Sequence, residues 1–416
     1  MYRIKKVIHL LLPGIFLIGY NIGTGSITAM SKAGASFGHS LLWTVLLSCV
    51  ITFYLIDRFS LFTIVTGQTA IQGIKRNIHP GISLFLTTAL VVIILAALLG
   101  ITGILTDSIH EGAILISGSQ YSRFWTGGAL GVLVLLILIS GTHKTFENVM
   151  AMIVGVMGLA FIIAVVYLSP SIEAIGKGLI PSISKASEGS DNSGFVVIAG
   201  MTGTTVSAVV FIIRSLLVKE AGWTIKDMKA QRIDAANSAF FMFLISAAVL
   251  IVAAETLFPI GIRVNNVPEL LPILEPVAGA FAVVIIVIGI AAAGLSSVLP
   301  NILAIPWLIM DYKEKANPLE KPAGWLIFLL VLYCIVGTVF GLKPIFLMLL
   351  SQACLAVLLP VLLISMAYML NSEKIMGKRK MKNWEMVIWI IIIAYSLLMS
   401  SLGMTGLIED LNRLLN

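Results

Sequence analysis

The residues of this chain that could do chemistry are mostly neutral. Asn21, Thr24, Ser26 and Thr28 fall in the stretch NIGTGSIT, together with Gly23 and Gly25. Thr204, Thr205 and Ser207 follow Gly200 and Gly203 in VIAGMTGTTVSAVVF, and Gln352 stands in SQACLAVLLP. Hydroxyls and amides exchange hydrogen bonds and lend oxygens to a ligand, but none of them titrates near neutrality. Such a set binds rather than cleaves. No phosphate-binding loop of the Walker type, no Ser-His-Asp spacing in a loop and no Cys-x-x-Cys pair accompanies it. We therefore expect no enzyme, no cofactor and no resident metal.

A few ionisable residues interrupt apolar runs, where each is a functional candidate by default. Asp57 and Arg58 are adjacent, and sequence neighbours do not face one another on a helix. Their expected partners are other helices or the inner end of the span. Asp107, His110 and Glu111 share one helical face and could bind metal or relay protons; the plainer reading is an exposed outer loop end. Arg214 lies close to Lys219 and reads as a side chain snorkelling to the headgroups. Its sharper reading is a fixed positive charge on an inner pathway that repels cations.

The elements that must position these residues are membrane helices. Of 416 residues, 59% are hydrophobic and 11% charged, far below the quarter or so of a soluble domain. Apolar stretches of about 20 residues recur along the chain, each long enough to cross a bilayer. About eleven spans are expected, near 10–33, 40–64, 82–110, 128–142, 148–168, 195–217, 237–258, 277–305, 324–342, 345–370 and 385–407. The segment Asp107–Gly112 either continues the third span or ends it. Basic residues concentrate in alternate loops, which puts the N-terminus in the cytoplasm and the C-terminus outside. In that assignment Lys32 belongs to an outer loop. The net charge of +7 is then a topology signal that needs no nucleic acid. No signal-peptide cleavage site is evident, and Cys49, Cys334 and Cys354 read as packed core. The partners expected are a small-molecule solute and the lipid bilayer. A bacterial plasma membrane is the expected setting, and a monomer suffices.

Glycine and hydroxyl residues in the middle of a span have a physical meaning. In lipid every backbone N–H and C=O needs an internal partner, so a helix unwinds only where protein or a cavity supplies one. Gly23 and Gly25 make unwinding cheap, and the flanking hydroxyls can take up the freed groups. The sixth span repeats this pattern at Gly200 to Ser207. Two interrupted helices, each opening a five-span half, point to an inverted-repeat transporter with its site at the midplane. The halves would be residues 1–170 and 171–372, with 373–416 an added eleventh helix.

Several stretches resemble the Nramp family of divalent metal transporters, which have the LeuT-type fold. LLPGIFLIGY…SKAGASFGHSLLW is similar to the family's first span and second-span entry, DRFSLFTIVTG to its second-span end. GTHKTFENVMAMIVGVMGLAFIIAVVYLSP is similar to its fourth-to-fifth hairpin, GTTV…LLVKE to its sixth span and SQACLAVLLP to its tenth. The resemblance implies an all-α polytopic membrane protein with broken helices 1 and 6 and transport by alternating access. It also exposes a loss. The family's Asp-Pro-Gly-Asn signature falls on Gly23, Thr24, Gly25 and Ser26. Its Met-Pro-His signature falls on Ser207, Ala208 and Val209, and a further histidine on Arg214. Of the family's metal-site side chains, Gln352 alone has a match.

A dehydrated divalent ion needs anionic or strongly donating ligands, which these positions lack. The substitutions should also enlarge the site. The primary expectation is therefore a secondary transporter of a small neutral polar solute: a sugar, polyol or small zwitterion. It would bind Asn21, Gly23, Thr24, Gly25, Ser26, Thr28, Thr204, Thr205, Ser207 and Gln352, with Phe211 covering an apolar face. Asp57, Arg58, Asp107 and Arg214 are candidates for the pathway or for coupling. The alternative is a proton-linked or uncoupled importer of Mg²⁺ or Mn²⁺ bound largely hydrated. A membrane receptor that kept the fold without transporting is a third reading.

Overall fold

The computed structural model describes residues 23–118, 122–140, 143–182, 194–315, 324–339 and 343–415. Among these residues the chain is helical and contains no strand. Helix α1, Thr24–Phe37, starts at Gly23, and α2, Leu42–Thr66, follows a single 3-10 turn. Gly67 closes α2 in the left-handed conformation, and a Thr69–Gln72 capping box opens the short α3, Ala70–Asn77. Helix α4, Pro80–Ser117, has Pro80 in its first turn and an N-cap from His79. It runs straight through Asp107–Gly112, so that segment continues the helix.

Helices α5, Arg123–Ser140, α6, His143–Leu168, and the short α7, Ile172–Gly178, come next. Helix α8, Gly194–Thr205, and α9, Ala208–Glu220, follow, then α10, Met228–Thr256. The chain continues with α11, Ala282–Tyr312, α12, Gly324–Val339, and α13, Pro344–Asn371; α14, Asn383–Leu415, ends the described chain. Each expected span from the second onward coincides with a helix or helix pair. Of the first, the part from Gly23 is described. By length and composition, eight helical segments among the described residues can cross a membrane, and two shorter apolar helices join them.

Burial separates an inner layer from an outer one. The α8–α9 segment is wholly buried in its apolar window, whereas α5 and α14 are buried over a third of theirs. Helix α1 packs chiefly on α10, α8 on α13, and α11 on α4. The α8–α13 contact is backbone against backbone. A Cβ at Gly203 would stand 1.9 Å from the carbonyl oxygen of Gln352. Glycine at this position therefore buys close approach rather than unwinding.

Unwinding comes three residues later. The ladder of α8 ends at Val206 N–H, which donates to the Thr202 carbonyl at 2.7 Å. Ser207 is extended (φ −89°, ψ 124°), and Phe211 N–H restarts the ladder on its carbonyl. The Thr52 hydroxyl donates to the orphaned Thr205 carbonyl at 2.8 Å. The break survives in an apolar interior because a neighbouring helix supplies that partner.

Candidate functional site

The start of α1 and the sixth-span break meet at one cavity. Gly23, Gly25 and Ser26 come from the start of α1, Thr204 and Ser207 from the sixth-span break, and Met348 and Gln352 from α13. Ser297 and Asn301 of α11 complete the polar lining, and Ile93, Ala97 and Val209 are among its apolar walls. No charged side chain lines it among the described residues. Its volume is about 30 Å³, enough for at least one water molecule.

The side chains facing α1 narrow the space its small residues leave. A Cβ on Gly25 would lie 2.1 Å from the Met348 methyl and 3.4 Å from Gln352 Nε2. Met348 and Gln352 are one turn apart on α13 and so share a face. Met348 brings a thioether to the lining. Nothing in the local sequence signals this, because a methionine in an apolar span reads as core filling.

The hydroxyls have a common orientation. Thr204 Oγ1 donates to the Met201 carbonyl at 2.9 Å, and Ser297 Oγ to the Ala293 carbonyl at 2.8 Å. Their protons are spent on their own helices, so their lone pairs are what they offer the cavity. Ser26 Oγ shares a hydrogen bond of 3.2 Å with Ser246 Oγ of α10. Asn301 Nδ2 donates to the Ser297 carbonyl at 2.8 Å. Ser207 Oγ is buried with no hydrogen-bond partner. The C-terminal end of α8 points its carbonyl dipoles at the same break, a partial negative charge.

Six of the expected site residues meet here: Gly23, Gly25, Ser26, Thr204, Ser207 and Gln352. Asn21 lies outside the described residues, and four expected residues stand behind the lining. Thr24 is buried within α1. Thr28 donates to the Thr24 carbonyl and Thr205 to the Met201 carbonyl, each within its own helix. Phe211 stacks on Phe59 with centroids 5.4 Å apart and covers no part of the cavity. Sequence reasoning missed Ser297 and Asn301. Asn301 sits between Pro300 and Pro306, whose missing N–H groups free two α11 carbonyls. A polar residue beside such prolines in a span was the available signal.

The charged candidates are engaged elsewhere. Arg58 folds back on its neighbour Asp57, Nη2 to Oδ2 at 2.6 Å, and reaches Glu385 of α14 at 2.6 Å. The expectation that adjacent residues stay apart fails because the long arginine chain can reverse over one residue. Asp57 also receives Arg232 of α10 at 3.1 Å. Asp107 pairs with Arg123 at 2.6 Å, tying α4 to α5. Half-buried His110 and Glu111 accompany it, yet no group of three potential ligands that could hold a metal occurs among the described residues.

Arg214 is fully buried and does not snorkel. Its Nη1 meets Asp234 at 2.7 Å, Nε donates to Ser60 at 3.1 Å, and the guanidinium sits 5.1 Å from the Trp223 ring centroid. Asp234 neutralises it, so it is not a bare charge repelling cations. Lys32 is likewise buried inside α1 rather than in a loop, with Nζ on Asn265 Oδ1 at 2.9 Å. Asp311 is a further buried carboxylate, accepting from Thr69 and from Gln72 Nε2 at 2.8 Å.

Comparison with known proteins places this arrangement. The sequence profile described as natural resistance-associated macrophage protein-like, Nramp, matches residues 14–405. The chain belongs to the Nramp family. It is 23% identical over 425 residues to the divalent metal cation transporter MntH of Pectobacterium carotovorum subsp. carotovorum (strain PC1), covering 99% of this chain and 97% of that one. It is 26% identical over 320 residues to MntH of Yersinia enterocolitica serotype O:8 / biotype 1B, covering 73% of each.

The manganese transporter of Eremococcus coleocola, solved with an aromatic bis-isothiourea substituted compound, superposes at a TM-score of 0.77. Identity is 15%, with 98% of this chain and 87% of that one covered. Mhp1, a nucleobase-cation-symport-1 family transporter in a closed conformation, superposes at 0.60 with 15% identity, over 96% and 91% of the two chains. These likenesses show the fold, which is of the LeuT type. This Nramp chain is an integral, multi-pass membrane protein of a transporter family, of the kind found in bacterial plasma membranes. Its cavity lies between the start of α1, the sixth-span break, α11 and α13.

Proposed function

We propose that this Nramp protein carries a divalent metal cation of the size of Mg²⁺ or Mn²⁺ by alternating access, binding it between the start of α1 and the α8–α9 break. The observation that carries the reading is a small cavity lined by oxygens and no charged side chain, with the Thr204 and Ser297 hydroxyl protons spent on their own helices. Lone pairs facing a site that small suit a cation. A sugar or polyol needs several times the volume and a mixture of donors and acceptors. The sequence-based expectation of a neutral organic solute therefore gives way to the metal alternative, which the names of the relatives also favour.

The ligands would be oxygens of Ser26, Thr204, Ser207, Ser297, Asn301 and Gln352, helped by the α8 carbonyl dipoles. Met348 adds one soft donor, which suits a transition metal better than Mg²⁺. Without a carboxylate the site binds weakly, and selectivity rests on size and donor type.

Thermal unfolding of the purified protein against a panel of ligands tests this. Mn²⁺ or Mg²⁺ should raise the melting temperature in proportion to occupancy, and Ser207→Leu should abolish the shift. Stabilisation by a sugar, polyol or amino acid, with none from divalent ions, would overturn the reading.

A further inference from the structure

A second and much larger space lies away from the transport cavity. A groove of about 920 Å³ opens between α2, the start of α10 and the start of α14. It sits at the end of the bundle that the loop charges mark as cytoplasmic. Asp57, Arg58, Arg232 and Glu385 line its base as a closed set of ion pairs. Two acids and two bases cancel there.

The rim does not cancel. Lys378, Arg379, Lys380 and Lys382 line it, and all four are exposed. Lys380 reaches Glu373 at 3.4 Å. Lys378, Arg379 and Lys382 have no acidic partner within ion-pair distance among the described residues. The opposite wall is apolar, formed by Phe53 and Leu61 of α2 and Trp384 and Ile388 of α14. One turn further along these helices, Val50 and Ile391 are 57% and 62% exposed on the outer, lipid-facing surface. The groove thus joins three uncompensated cations at the membrane interface to an apolar track leading into the bilayer.

A soluble phosphate compound would use the cations and leave the apolar track wet. A lipid with an anionic headgroup satisfies both. We propose that this groove is a binding site for an anionic phospholipid, its phosphate held by Lys378, Arg379 and Lys382 and one acyl chain laid along Phe53 and Ile388. Because the groove is walled by α2, α10 and α14, the lipid would splice the added last helix to both halves of the bundle. The site is independent of which cargo the transport cavity takes.

Native mass spectrometry of the detergent-purified full chain tests it, with phosphatidylglycerol, phosphatidylcholine and inorganic phosphate as probes. The wild type should retain phosphatidylglycerol and not phosphatidylcholine. The triple variant Lys378→Gln/Arg379→Gln/Lys382→Gln should lose about a hundredfold in apparent affinity for three removed charges. A control, Lys226→Gln/Lys229→Gln, removes two exposed charges outside the groove and should change nothing. Phe53→Ser should weaken phosphatidylglycerol binding as well, which a purely ionic site would not show. The substituted lysines and arginine are exposed, so the variants should melt like the wild type in lipid-free detergent. Equal loss in the triple variant and the control would overturn the proposal, as would equal retention of phosphatidylcholine. Displacement of the lipid by equimolar inorganic phosphate would instead assign the groove to a soluble anion.

Discussion

At the residue scale the most consequential side chains are charges the transport cavity does not use. The Arg214–Asp234 pair is buried on both sides, so removing one partner leaves an uncompensated charge in the interior. Asp234→Asn should cost about 3–5 kcal/mol, read as a large drop in melting temperature. Arg214→Met/Asp234→Leu should recover much of it, because apolar replacement of a whole buried pair is often neutral or better. Glu173→Gln should be silent by comparison, since Glu173 and Lys177 are more than two-thirds exposed. If Asp234→Asn proves as silent as Glu173→Gln, the pair is not the fixed structural element described. Sequence alone did not join Arg214 to Asp234. They stand on different helices, and an arginine near a span end has a cheaper default in the headgroups.

At the scale of elements, the interrupted sixth span depends on its neighbours. Thr52 of α2 donates to the Thr205 carbonyl where the ladder of α8 lapses. Thr52→Val keeps shape and removes that donor, leaving a buried carbonyl unpaired. A loss of about 1–3 kcal/mol should follow, together with slower transport; a melting curve like the wild type would contradict it. The short α3 is latched to the end of α11 by Lys75, Arg76 and Glu314. Hydrogen bonding from Arg76 holds the Glu314 carboxyl below its ordinary 4.5. The latch is therefore intact above pH 4.5 and is lost as pH falls through the lowered value. Glu314→Gln should remove this acid-dependent step from hydrogen exchange in α3 and leave the rest of the profile unchanged. Persistence of the step in the variant would assign it to another group.

At the scale of the whole molecule, the spans were legible because a lipid-crossing helix announces itself by length and hydropathy, without reference to its neighbours. The sixth-span interruption was legible as a region, through its glycines and hydroxyls. Its atoms were not. Gly203 turned out to serve contact with α13, while the backbone opened at Ser207. The cavity was half legible, because Met348 and Asn301 belong to it through distances between helices that no single stretch encodes. The expected orientation gives a whole-molecule prediction. A single reactive cysteine at Lys226 should be labelled by impermeant reagent from the cytoplasmic side and one at Lys177 from outside. Reversed labelling would invert the assignment of the basic groove to the cytoplasm.

The central claim is that a cavity without charged side chains carries a divalent cation. An ion bound there moves its full charge, because nothing lining the cavity neutralises it. The most direct measurement is uptake of radioactive Mn²⁺ into liposomes containing the purified protein, with the membrane potential set by a potassium gradient and valinomycin. The account predicts saturable uptake that rises steeply as the interior is made negative, since each charge gains about 2.3 kcal/mol per 100 mV. Uptake should be lost in Ser207→Leu and reduced in Gln352→Ala. Absence of Mn²⁺ and Mg²⁺ uptake at every potential, in protein that still melts cooperatively, would contradict it.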